Sequence, residues 1–134
     1  MRCRLRRACI DMETNDRRSS LLAWQWNGYS RNHHDRVNLL VHMVAVPAFI
    51  AGTLAAVTQA LQAQWFGALV ALLVAILAFA VQGVGHKRER VAPEPFTGPG
   101  DFVARVFAEQ FITFPRFVLA GQWARNLAEQ DNRG

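Results

Sequence analysis

Fifty consecutive residues, Val37 to His86, contain no Asp, Glu, Lys or Arg. A helix needs about 20 apolar residues to cross a hydrocarbon core, so the stretch is long enough to cross twice. Near its middle lies an uncharged turn region, Thr58-Gln59-Ala60-Leu61-Gln62-Ala63-Gln64. The pattern predicts an all-α fold. It describes a small integral membrane protein built on a transmembrane helical hairpin, with spans at about 37–57 and 65–85. A soluble helical bundle is the competing fold, because an apolar content of 51% is only slightly above a soluble average. It is the placement of the apolar residues, not their number, that argues for a membrane.

Charge is distributed accordingly. Residues 1–36 carry eight Arg against four acids, and residues 87–134 carry seven basic residues against six acids. Arg31, Arg36, Lys87, Arg88 and Arg90 flank the outer ends of the stretch, while the turn is uncharged. By the positive-inside rule both termini lie in the cytoplasm, on the inner side of the cytoplasmic membrane if the source is bacterial. Residues 1–20 read as a disordered basic tail and residues 21–134 as one domain. No nucleic-acid partner is expected, because the basic residues lack aromatic interleaving and a recognition motif. Cys3 and Cys9 have no partner at metal spacing, and the Arg-rich start is not followed by the apolar core of a signal peptide. Met12 is a candidate start.

Along the chain, Leu21 to Arg31 carries Trp24, Trp26 and Tyr29 and reads as an interfacial lead-in. Asp35 is a candidate N-cap for the first span, and Pro47 should bend that span just beyond His42. Residues 91–100 hold three prolines and two glycines and argue against a regular element. Asp101 is a candidate N-cap for an amphipathic helix from Phe102 to about Phe114, stopped by Pro115. Val103, Val106, Phe107 and Phe111 form its apolar face, with Arg105 and Glu109 elsewhere. A last helical segment follows, Arg116 to Glu129.

The candidate chemistry lies at one end of the hairpin. Asn38 and His42 are four apart and share a helix face, which His34 would extend; Gln82 and His86 repeat the spacing. Antiparallel spans bring His42 and His86 to one membrane face although 44 positions separate them. Glu89 follows three residues after His86. Histidines plus a carboxylate at one level are what an Fe(II) or Zn(II) site needs. All four histidines of the chain fall at this edge.

The series Tyr29, His33, Asn38, His42, Pro47 and the block Gln82-Gly83-Val84-Gly85-His86 resemble the Mpo-like family of small membrane proteins, the fatty acid alpha-oxidation dioxygenases. The resemblance runs from about Tyr29 to Pro95. It implies an Fe(II)-dependent dioxygenase that shortens 2-hydroxy fatty acids, or a related lipid, by one carbon, with His33, His42 and His86 as iron ligands or their immediate neighbours. Asn38, Gln82 and Glu89 are the candidate supporting groups. Glu89 departs from the family pattern, being three rather than four residues after the last histidine. Two other functions remain open at this point. One is a heme-binding electron carrier with His42 and His86 as axial ligands. The other is a non-catalytic membrane scaffold held by an interhelical network of Asn38, Gln82 and the histidines.

Overall fold

A computed structural model describes residues 20–132. The basic tail, with Cys3, Cys9 and Met12, lies outside them. Helix α1 spans Leu21–Tyr29 and passes through a short 3-10 turn, Ser30–Asn32, to α2, Arg36–Leu61. Helix α3 is Trp65–His86, α4 is Pro99–Ala108, α5 is Phe114–Leu119 and α6 is Gln122–Asp131. A π-helical turn, Glu109–Thr113, joins α4 to α5. There is no strand among the described residues.

The hairpin of α2 and α3 is the spine. Asp35 caps α2 as its sequence position predicts, its carboxylate accepting the Asn38 N–H at 3.0 Å. The helix continues through Pro47 and ends at Leu61, about one turn later than expected. Thr58 does not break it, because its hydroxyl bonds back to the Leu54 carbonyl. The turn shrinks to Gln62–Gln64, with Ala63 in the left-handed region (φ 56°).

The two long helices meet along a narrow seam. The buried residues of α3 are Ala71, Ala75, Ala78, Gln82 and Gly85. On α2, Asn38, His42, Ala45, Phe49 and Gly52 repeat the same alternation of fours and threes. That spacing is the signature of a left-handed helix pair. Small residues let the backbones approach. A Cβ on Gly52 would lie 2.9 Å from the Ala71 carbonyl oxygen and 3.0 Å from the Ala75 nitrogen.

Large apolar residues point the other way. Val44, Leu54, Leu61, Phe66, Leu77 and Val84 are all more than half exposed. Small residues inside and large ones outside invert the order of a soluble core. Both helices are long and apolar enough to cross a membrane, and only 28% of each apolar window is buried. This is the fold of a small all-α membrane protein.

The C-terminal helices pack on one end of the spine. Tyr29, Leu39, Val46, Phe114 and Phe117 form one core cluster, joined by Trp26 and Trp123. Helix α1 is therefore held against the other helices, with Tyr29 only 3% exposed. Three local expectations are corrected here. Helix α4 begins at Pro99 after Gly98, not after Asp101, since a proline at the first helical position lacks an N–H that would be orphaned anyway. Asp101 sits in the first turn and accepts the Thr97 N–H at 2.9 Å. Pro115 does not stop the helix. Its ring would clash with the carbonyl four residues earlier, and the chain avoids this by widening the preceding turn, where Phe114 N–H bonds to the Glu109 carbonyl. The expected apolar face of α4 is kept only in part. Arg105 and Val106 are buried while Val103 and Phe107 are exposed.

Candidate metal centre

His33, His42, His86 and Glu109 converge at the end of the hairpin where the spans begin and finish. Each offers one donor atom within 4.8 Å of all the others. His33 comes from the loop after the 3-10 turn, His42 from the second turn of α2 and His86 from the last residue of α3. Their imidazole rings touch edge to face, with centroids 4.7 to 4.8 Å apart. The two helix ends, nominally about 9 Å apart in depth on an ideal ladder, are thus brought level.

Backbone carbonyls fix two of the tautomers. Nδ1 of His33 bonds to the Tyr29 carbonyl at 3.0 Å, and Nδ1 of His42 to the Asn38 carbonyl at 3.0 Å. A carbonyl only accepts, so each Nδ1 carries the proton and each neutral ring presents a bare Nε2 lone pair. Those two Nε2 atoms face each other at 3.4 Å. Glu109 Oε1 lies 3.4 Å from His33 Nε2, 3.8 Å from His42 Nε2 and 3.9 Å from His86 Nε2. His86 Nδ1 is buried without a partner. Converging acceptors repel unless a proton or a metal cation sits among them. Donors arranged about 2.1 Å from a common centre lie about 3 to 3.4 Å apart, close to these separations. The residues present therefore fit a divalent metal.

Glu109 is held in place by Tyr29 as well as by the histidines. The Tyr29 hydroxyl donates to its Oε1 at 3.0 Å, and the Tyr29 ring stacks on His33 at 3.9 Å. Burial and then the Glu109 charge raise the Tyr29 phenol well above its usual range, so it stays a donor. Asn126 donates to the carbonyls of His33 at 2.6 Å and Ser30 at 2.9 Å, pinning the loop that carries His33.

The other residues singled out from sequence lie around this cluster. Glu89 accepts the backbone N–H groups of His34 and Asp35 and the Asn38 amide, the last at 2.6 Å. Its carboxylate is used to satisfy the start of α2 and does not reach the histidines. Asn38 joins the site through its carbonyl, which orients His42, while its Oδ1 sits where a Cβ on Gly85 would be. Gln82 forms a reciprocal amide pair with Gln110, at 3.1 and 2.8 Å. That pair is a buried interhelical network separate from the metal centre. His34 turns outward to Glu129 at 3.1 Å and Gln130 at 2.7 Å. Glu109 is the member that sequence reasoning missed. The available signal was a lone carboxylate six residues before a proline, inside a helix whose register the proline must disturb. The heme reading does not survive the geometry. Axial ligands stand on opposite sides of a porphyrin plane, whereas His42 and His86 touch each other and both touch His33.

Fold and cluster together define a small helical membrane protein with a part-buried three-histidine, one-carboxylate centre suited to a metal. The chain belongs to the Mpo1-like family: the family model described as 2-hydroxy-palmitic acid dioxygenase Mpo1-like matches residues 20–114. That match spans all four members of the cluster. No curated protein and no solved structure matches the chain.

Proposed function

We propose that this protein is an Fe(II)-dependent dioxygenase that shortens 2-hydroxy fatty acids, or a closely related lipid, by one carbon at the membrane surface. The observation that carries this reading is the convergence of His33, His42, His86 and Glu109 at the end of an apolar hairpin, in a chain of this family. Bound by these four groups, iron(II) would supply the capacity to bind and activate oxygen. Zn(II) accepts the same donor types, but it has no redox chemistry with which to use oxygen.

The chain's own residues do the rest. The Tyr29 and Asn38 carbonyls keep the two Nε2 lone pairs aimed inward, and the Tyr29 hydroxyl keeps Glu109 from rotating away. Phe114 and Phe117 close the site on one flank and exclude water. On the other flank the cluster opens into a cavity of about 250 Å³ bounded by α1 and the loop at 91–94. A substrate with a polar head and an apolar tail suits that setting, since the head meets the cluster while the tail stays in lipid.

The test is anaerobic purification with iron quantification, followed by oxygen uptake with 2-hydroxyhexadecanoic acid. The expected result is about one iron per chain, as four converging donors imply, and uptake matched by formation of the acid one carbon shorter. Iron-loaded, helical protein that consumes no oxygen with this acid would overturn the reading.

The same reading orients the hairpin with both termini and the metal centre on the cytoplasmic side, because Arg31, Arg36, Lys87, Arg88 and Arg90 all flank that end. A reporter fused after Gly134 should be active only in its cytoplasmic form, and one inserted at Ala63 only in its external form. The opposite pattern would refute this orientation.

A further inference from the structure

Two cations line the cavity beside the metal centre, Arg105 and Arg31. Both terminal nitrogens of Arg105 are committed. Its terminal nitrogens donate to the carbonyls of Pro95 at 3.2 Å and Glu94 at 2.9 Å, and Asp101 lies 3.5 Å away. Its guanidinium also stacks against Trp24 and Phe96, at 5.0 and 4.6 Å. Its Nε is enclosed and reaches no acceptor. This buried arginine is the clamp that shapes the 91–97 loop into the cavity wall.

Arg31 differs in every respect. It is exposed, lies within the 3-10 turn that leads to His33, and pairs with no carboxylate among the described residues. Of the two acids of the cavity, Glu109 is held by Tyr29 and the imidazoles, and Glu94 gives its backbone carbonyl to Arg105. The remaining basic residues of this edge are elsewhere. Arg88 is bound to Asp35 at 3.2 Å, and neither Lys87, Arg88 nor Arg90 lines this cavity.

We infer that Arg31 is the specificity-determining residue for the acid. It receives the carboxylate of a long-chain 2-hydroxy acid at the cavity mouth, next to the metal centre. The inference rests on the reading of the site given above. A guanidinium presents parallel N–H groups that match a carboxylate in a way no lysine reproduces. A cavity of this size takes the head of such a molecule and leaves a long tail outside it, in the apolar surroundings. The consequence is selectivity. The free acid is taken, and the ester or amide of the same chain is discriminated against.

The test measures binding of 2-hydroxyhexadecanoate and of its methyl ester to the metal-loaded protein in neutral detergent, by calorimetry, alongside metal content and oxygen uptake. Wild-type protein should prefer the acid by about 10- to 100-fold. Arg31→Gln should lose that preference by weakening acid binding alone, with ester binding and metal content unchanged. Arg31→Lys should recover part of it. Acid binding unaltered in Arg31→Gln, or acid and ester binding weakened equally, overturns the inference, as does a wild type that does not distinguish the two. A wild type that binds the acid through Arg31 yet takes up no oxygen leaves the inference standing and overturns the dioxygenase reading.

Discussion

Alanine at His42 or His86, or glutamine at Glu109, is expected to strip the protein of metal while leaving it helical and inserted. Each residue contributes a donor to one four-membered cluster, and no other imidazole or carboxylate among the described residues stands near enough to replace it. Removing a group that only orients a ligand typically costs about 10–100-fold in metal affinity, so loss of a donor itself should exceed that. His33→Ala belongs with this set and His34→Ala does not, because His34 faces Glu129 and Gln130 at the surface. Iron per chain, measured after dialysis against a weak chelator, reads the effect directly. Full retention of iron in His42→Ala, His86→Ala or Glu109→Gln would show that the cluster is not the binding site.

Valine at Gly52 is expected to destabilise the hairpin by about 1–3 kcal/mol, the range for overpacking a close contact. The new Cβ meets the Ala71 carbonyl oxygen and the Ala75 nitrogen, both backbone atoms that no rotamer change can move. Gly83 is the internal control. It lies in the same pair of helices, but a Cβ there meets nothing within 4 Å. Gly83→Ala should therefore be neutral or stabilising by up to about 1 kcal/mol. Thermal unfolding of the two variants in the same detergent compares them. Equal midpoints would mean that the helices do not approach closely at Gly52.

Much of this architecture was legible because it depends on long, simple patterns. An uncharged run of this length with polar residues at its middle can satisfy its backbone in lipid only as two helices. His42 and His86 then share an edge by antiparallel geometry alone. His33 was legible only through the spacing of the family resemblance, because a helical face predicts His34 instead. The 3-10 turn and extended residue before α2 break that face, and sequence periodicity does not report such a break. Glu89 misled for a related reason. A carboxylate near a histidine in sequence resembles a ligand, but the unsatisfied N–H groups at the start of α2 are a competing demand for it. The inward turn of Arg105 and Glu109 was hidden because both are buried by polar partners, the loop carbonyls of Glu94 and Pro95 for Arg105 and Tyr29 with the histidines for Glu109. An apolar face does not report such partners.

The π-helical turn at Glu109–Thr113 makes the centre a matter of counting. An α-helix rotates about 100° per residue, and one wide turn inserts a residue without the corresponding rotation. That phase slip is what allows Glu109 to face the histidines while Phe114 and Phe117, only a turn or two later, face the aromatic core beneath them. Composition plays no part in it. Deleting one residue from this turn would change no side chain that touches the cluster, yet it would swing the carboxylate out of the site as effectively as removing it. Relatives of this chain that keep all three histidines and lose one position within residues 110–113 should no longer bring the carboxylate to them.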